Sequence, residues 1–177
     1  DVADLQFIKE AIDINMEIAK KGMEKKYAFG VGPTVQNLLE KGMLKADVVT
    51  AVRSIPAAAA DFRMSGGNGS VMTFCGSGNQ GMTVSLPVQV FADALCVSRE
   101  KKIRALVLSN LIAIYQKNEL GKLSAYCGAV SAAVGAGAAI AYLNNAGFDV
   151  IEETIVNTLG NVSGIVCDGA KASCAAK

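Results

Sequence analysis

Five cysteines, at positions 75, 96, 127, 167 and 174, carry most of the reactive chemistry in this 177-residue sequence, because it contains no histidine. Without imidazole there is no Ser-His-Asp or Cys-His triad, no histidine base, and no metal site that requires a histidine ligand. Catalysis has to come from Cys, Asp, Glu, Lys, Tyr, Ser or Asn. No two cysteines have the two-residue gap of a zinc ribbon or a thioredoxin-like motif, so spacing alone specifies no metal. Cys167 and Cys174 are seven apart, which is two turns on one face if that stretch is helical, and Cys127 opens an uncharged Ala/Gly-rich run. Three thiolates could thus converge from separate elements. Cys96 reads as a buried small hydrophobe, the usual role of a free cysteine.

A second candidate is Gly76-Ser77-Gly78-Asn79-Gln80-Gly81. It matches G-x-G-x-x-G, follows the β-like run Val71-Met72-Thr73-Phe74, precedes an apolar helix, and has Glu100 nineteen residues after its last glycine. A dinucleotide site also needs parallel strands around that turn, and the surrounding pattern is helix after helix. Two readings then compete: backbone N–H groups and Asn79 exposed to a small anion such as a substrate carboxylate, or a tight turn before a helix. On the first reading Ser77, Gly78, Asn79 and Gln80 are the substrate-binding residues.

The elements that must position these groups are helical. Leu5, Ile8, Ile12, Met16, Ala19 and Met23 recur at three or four residues, with Asp4 as N-cap and Lys20, Lys21, Lys25 and Lys26 toward the C-terminal end. After the break Phe29-Gly30-Val31-Gly32-Pro33, Thr34 can cap a short helix toward Lys41. From Leu44 to Met64 the pattern predicts a bent or two-part helix interrupted at Pro56. Ser65 to Gly81, rich in glycine, is a structured loop. Met82–Cys96 and Ile103–Tyr115 are neighbouring helices separated by a charged turn at Ser98–Lys102, and Ile151–Leu159 is another helix. Leu123 to Phe148 holds no charge and is long enough to span a bilayer. Its Ala, Gly and Ser centre gains little from hydrocarbon and no aromatic belt frames it, so it reads as a close-packed central helix of an all-α fold.

Composition agrees. Half the residues are hydrophobic (51%) and 19% charged, enough apolar material for one domain over residues 1–177. Seventeen basic against sixteen acidic residues leave a net charge of +1, which provides no field to steer the chain onto nucleic acid or anionic lipid. Unpaired cysteines and the lack of a signal peptide point to the cytoplasm.

Four ordered strings carry a family resemblance: Ala58-Ala59-Ala60-Asp61-Phe62-Arg63-Met64, Gly76-Ser77-Gly78-Asn79-Gln80-Gly81, Leu123-Ser124-Ala125-Tyr126-Cys127-Gly128-Ala129 and Cys167-Asp168-Gly169-Ala170-Lys171-Ala172-Ser173-Cys174. From about Asp4 to Lys177 the chain closely resembles the L-cysteine desulfidase family, also called serine dehydratase alpha-like. More distantly, its loop and three cysteines resemble the alpha domain of iron–sulfur L-serine dehydratases. The resemblance implies a [4Fe–4S] cluster held by Cys127, Cys167 and Cys174 with one iron open to substrate, and no pyridoxal phosphate. It implies α,β-elimination from L-cysteine to pyruvate, ammonia and sulfide, or from L-serine to pyruvate and ammonia. Family members are about twice this length, and their N-terminal half carries a Gly-Cys-Thr-Glu-Pro motif that these residues lack. The chain therefore reads as a C-terminal portion truncated at both ends, with the N-terminal half as its partner and a homo-oligomer as a further expectation. Lys171, between the two last cysteines, is the candidate base; it and Asp168 could equally cap or ion-pair, and the absent half could supply the base. Cys75 is outside the family pattern. The Gly-rich loop and the C-terminal cysteines are expected to converge on the helix start at Cys127.

Overall fold

The computed structural model describes residues 5–121, 124–162, 165–167 and 169–177. Among these the chain forms seven α-helices: α1 (Gln6–Glu24), α2 (Val31–Glu40), α3 (Val48–Met64), α4 (Gly78–Ala94), α5 (Arg99–Leu120), α6 (Gly128–Leu143) and α7 (Phe148–Val162). A 3-10 turn, Ala172–Ala176, follows. The all-α expectation holds, and the described residues pair in β fashion only at two isolated bridges.

α4 and α6 share the centre. One apolar cluster joins Ile12 of α1, Val88 and Ala92 of α4, Leu106 of α5, and Ala136 and Ala139 of α6. A second joins Ile18 of α1, Phe62 of α3, Met82 and Leu86 of α4, and Ala175 of the 3-10 turn. The third is Val84, Ala113 and Ala132, from α4, α5 and α6. The small residues of α6 let backbones approach as expected: a Cβ on Gly135 would lie 2.2 Å from the Ser109 carbonyl oxygen of α5. No helix among the described residues is long and apolar enough to cross a membrane.

Several helices differ from the sequence expectation at their ends or at an expected break. Asp4 lies outside the described residues, and α1 starts after Leu5 without a side-chain cap. Thr34 is inside α2, which begins at Val31; its cap comes from α3, where the buried Asp61 carboxylate accepts the N–H groups of Phe29 (3.0 Å), Gly30 (2.8 Å) and Val31 (3.2 Å). Gly30 has φ 66°, open to glycine without strain. α3 is one continuous helix through Pro56, started by Asp47, whose side chain accepts the Thr50 N–H at 2.9 Å. That N–H holds the Asp47 carboxyl below the usual carboxylate range. The charged stretch expected as a turn is the first turn of α5, capped by Ser98 and supported by the Glu100–Arg104 pair.

Asp61 joins two helices through three N–H bonds at the positive end of α2. Asp61→Ala orphans three donors and is expected to cost about 3 kcal/mol of stability. Urea unfolding checks this; a loss below about 1 kcal/mol would mean that water replaces the carboxylate.

Cys96 is exposed, contrary to the buried reading. It follows the end of α4 at φ 50°, where the N–H groups of Cys96 and Val97 turn back to Asp93 and Ala92. A left-handed helix stop of this kind lifts its residue into solvent. Cys167 and Cys174 do not share a helix face either. Gly169 (φ 83°) and Ala170 (φ 55°) form a left-handed turn between them, and helical structure resumes only in the 3-10 segment. Asp168 lies outside the described residues.

Candidate functional site

The glycine-rich segment is built around a tight turn and a helix start. Phe74 and Ser77 exchange both backbone N–H···O bonds at 3.0 Å, and Cys75 and Gly76 between them have φ 47° and 81°. This is the primed two-residue turn, with Cys75 exposed at its tip. α4 begins at Gly78, so Gly78, Asn79, Gln80 and Gly81 are its first turn rather than loop. The described residues around it are helical and provide no parallel sheet, which removes the dinucleotide reading. Met72 fixes the approach: it exchanges two hydrogen bonds with the buried Asn15 amide of α1, and its carbonyl would lie 2.1 Å from a Cβ on Gly81.

Each expected binding residue has a definite local role. Ser77 is the N-cap of α4, its hydroxyl accepting the Gln80 N–H at 3.4 Å. Gly78 packs against the Arg63 guanidinium, whose Nε would be 2.6 Å from a Cβ there. The same guanidinium donates from Nη1 to Asn79 Oδ1 at 3.0 Å. The buried Gln80 amide lies against the start of α6, its Nε2 2.2 Å from a Cβ on Gly128. Arg63 was not singled out from sequence as a functional residue. The signal was available, since it is the only cation in the Ala58–Met64 string.

Backbone pairing brings two of the cysteines alongside. Tyr126 and Val166 form an antiparallel bridge, with the Cys127 N–H donating to the Ile165 carbonyl at 3.0 Å and the Cys167 N–H to the Ala125 carbonyl at 2.8 Å. Cys127 is buried at the N-cap of α6 and Cys167 is exposed. Cys174 is half-buried in the 3-10 turn, and Lys177, which follows that turn, donates from Nζ to the Val166 carbonyl at 2.9 Å. The 3-10 turn is thereby tied back to the segment that carries Cys167. A cavity of about 580 Å³ opens between α2, α3, α4, α6 and the 3-10 turn, with Arg53, Asn79, Ala129, Cys174 and Lys177 among its lining residues.

The expected convergence on the start of α6 is therefore visible for Gln80, through Gly128, and for the Cys167 strand, through the bridge. Lys171 is exposed at the start of the 3-10 turn, its carbonyl accepting the Cys174 N–H at 2.9 Å. Among the described residues no three Cys, Asp or Glu side chains meet around one point as ligands of a single ion do.

A family model described as serine dehydratase alpha chain matches residues 1–177. Among curated relatives, a UPF0597 protein of Lachnoclostridium phytofermentans is 53% identical over 178 residues, covering 100% of this chain and 42% of that protein. UPF0597 proteins of Fusobacterium nucleatum and Treponema denticola are each 46% identical, over 98% and 96% of this chain and 42% and 39% of their own lengths. The chain thus spans about two-fifths of these relatives. No solved structure matches it.

Proposed function

We propose that this chain, which belongs to the serine dehydratase alpha chain family, is the cluster-holding and substrate-binding part of an iron–sulfur lyase. The reaction is α,β-elimination on a small β-substituted L-amino acid, L-cysteine or L-serine. The observation that carries the reading is the Tyr126–Val166 bridge, which sets Cys127 and Cys167 on two backbone-paired segments at the start of α6.

The donor set suits a [4Fe–4S] cluster better than a lone ion. Each thiolate of such a cluster binds its own iron, so the three sulfurs need not meet at a point; they need three loops that end in one region. Cys127 and Cys167 would hold two irons from the bridged segments, and Cys174 a third from the 3-10 turn tied back by Lys177. When bound, the cluster would supply an open iron as a Lewis acid toward the substrate's carboxylate or leaving group.

The chain's own residues do the rest. The first turn of α4 offers unpaired N–H groups and a positive dipole end to a carboxylate, and Arg63, fixed by Asn79, adds a full charge beside it. Asn79 also lines the neighbouring cavity. Lys171 is the proposed acceptor of the α-proton. Loss of that proton with cleavage of the Cβ–S or Cβ–O bond releases sulfide or water and leaves 2-aminoacrylate, which tautomerises and hydrolyses to pyruvate and ammonia. The remaining portion of the longer protein is the proposed partner.

The test is anaerobic purification of the full-length protein, iron and acid-labile sulfide analysis, and pyruvate assays with L-cysteine and L-serine. About four irons and four sulfides per chain, with pyruvate formed from either substrate, are expected. Protein that stays metal-free after anaerobic reconstitution leaves a helical interaction module, and the enzyme reading then fails.

A further inference from the structure

Gln116, in the last turns of α5, is 8% exposed, and neither its amide nitrogen nor its amide oxygen has a hydrogen-bond partner among the described residues. Its neighbour Lys117 is also 8% exposed and forms no ion pair among the described residues. Buried side-chain amides are normally satisfied, so a doubly orphaned one calls for a missing partner. Lysine is rarely this buried without a counter-charge.

The register of α5 tells where they face. α5 runs antiparallel to both α4 and α6. Leu106 packs with Val88, Ala92, Ala136 and Ala139; Ser109 donates to the Val84 carbonyl at 2.7 Å and abuts Gly135; Ala113 packs with Val84 and Ala132. Gln116 and Lys117 lie seven and eight residues beyond Ser109, two turns on along the same stripe. That is the level of the first turns of α4 and α6, where Gln80 touches Gly128. Two helix N-termini therefore lie at the level of an amide without a partner among the described residues and of a lysine whose stem is buried and which forms no ion pair among them.

We propose that Gln116 and Lys117 form the inner wall of a carboxylate site closed by the first turns of α4 and α6. Lys117 supplies charge for the carboxylate, and the Gln116 amide donates to that group while accepting from the neighbouring α-ammonium of an amino acid. The inference rests on the lyase reading for its substrate, but not for the existence of the site.

Pyruvate, a small carboxylate that needs no cluster, is the probe. Its affinity would be measured by titration calorimetry on the wild-type chain, on Gln116→Leu and on Lys117→Met, beside their melting temperatures. Each variant is expected to weaken pyruvate binding about tenfold or more. Gln116→Leu is expected to melt no lower than wild type, because it removes an unsatisfied amide at nearly constant volume. Wild type that does not bind pyruvate, variants that bind it equally well, or Gln116→Leu that melts lower while keeping its affinity would each overturn the site. In the full-length protein KM for the amino acid should rise in both variants with iron content unchanged. Pyruvate binding lost in the variants while wild type holds no iron retains the site and removes the lyase; normal turnover with unchanged KM in the variants does the reverse.

Discussion

Cys167→Ser is expected to leave the protein folded while removing its iron and acid-labile sulfide, from about four of each per chain to near zero, with pyruvate formation falling to background. The Cys167 side chain is exposed, and the residue is held in the bridge through its backbone N–H to the Ala125 carbonyl, which serine keeps. A serine hydroxyl is a poor replacement for a thiolate on iron, so one ligand of three is lost without a packing defect. Cys127 makes a less clean test because it is buried at the start of α6. Cys75→Ser and Cys96→Ser are the matched controls, both exposed and both at positive φ, and each is expected to retain full iron. Iron that survives in Cys167→Ser, or disappears in the controls, rules out the assigned ligand set. Circular dichroism and melting curves on the same samples separate loss of ligand from loss of fold.

The second large effect is on stability. Gly135→Ala is expected to lose about 3 kcal/mol, because the new methyl would sit 2.2 Å from the Ser109 carbonyl oxygen and that neighbour is backbone, which no rotamer change can withdraw. For a chain of this size that is a fall of roughly 10 °C in melting temperature. α5 would have to move off α6, and with it the Ser109 hydroxyl that donates to Val84 of α4. Gly137→Ala, on the same helix, meets only the side chains of Thr154 and Thr158 at 3.5 Å. It should be neutral or gain up to about 1 kcal/mol from helix propensity. Equal melting temperatures for the two variants would show that α5 and α6 are not packed backbone to backbone at this point.

Most helices were legible because their cause is local. The three-to-four-residue recurrence of Leu5, Ile8, Ile12 and Met16 and the Ala/Gly/Ser composition of the run after Cys127 depend on near neighbours in the chain, and both became helices where expected. The helix ends were less legible. Thr34 satisfied the local rule for a cap, yet the donors at the start of α2 are taken by Asp61, thirty residues away, and local spacing carries no trace of that contact. The charged residues before Ile103 predict a turn because charge marks solvent exposure, which the outward face of a first helical turn shares. Residue type alone predicts Cys96 in the core, whereas its place depends on a left-handed stop after α4.

For the site, the sequence by itself determined the reagents: no imidazole, three thiols in the spacing shared with a known family, and a glycine-rich turn ahead of a helix. Only the tertiary structure decided their arrangement. The Tyr126–Val166 bridge joins segments forty residues apart, Arg63 reaches Asn79 across two helices, and the packing of α5 buries the Gln116 amide without a partner among the described residues. Residue types limit which bonds can form, and periodicity marks which faces turn inward. Which partners meet depends on how closely the backbones pack, and that is set by contacts between residues far apart in the chain.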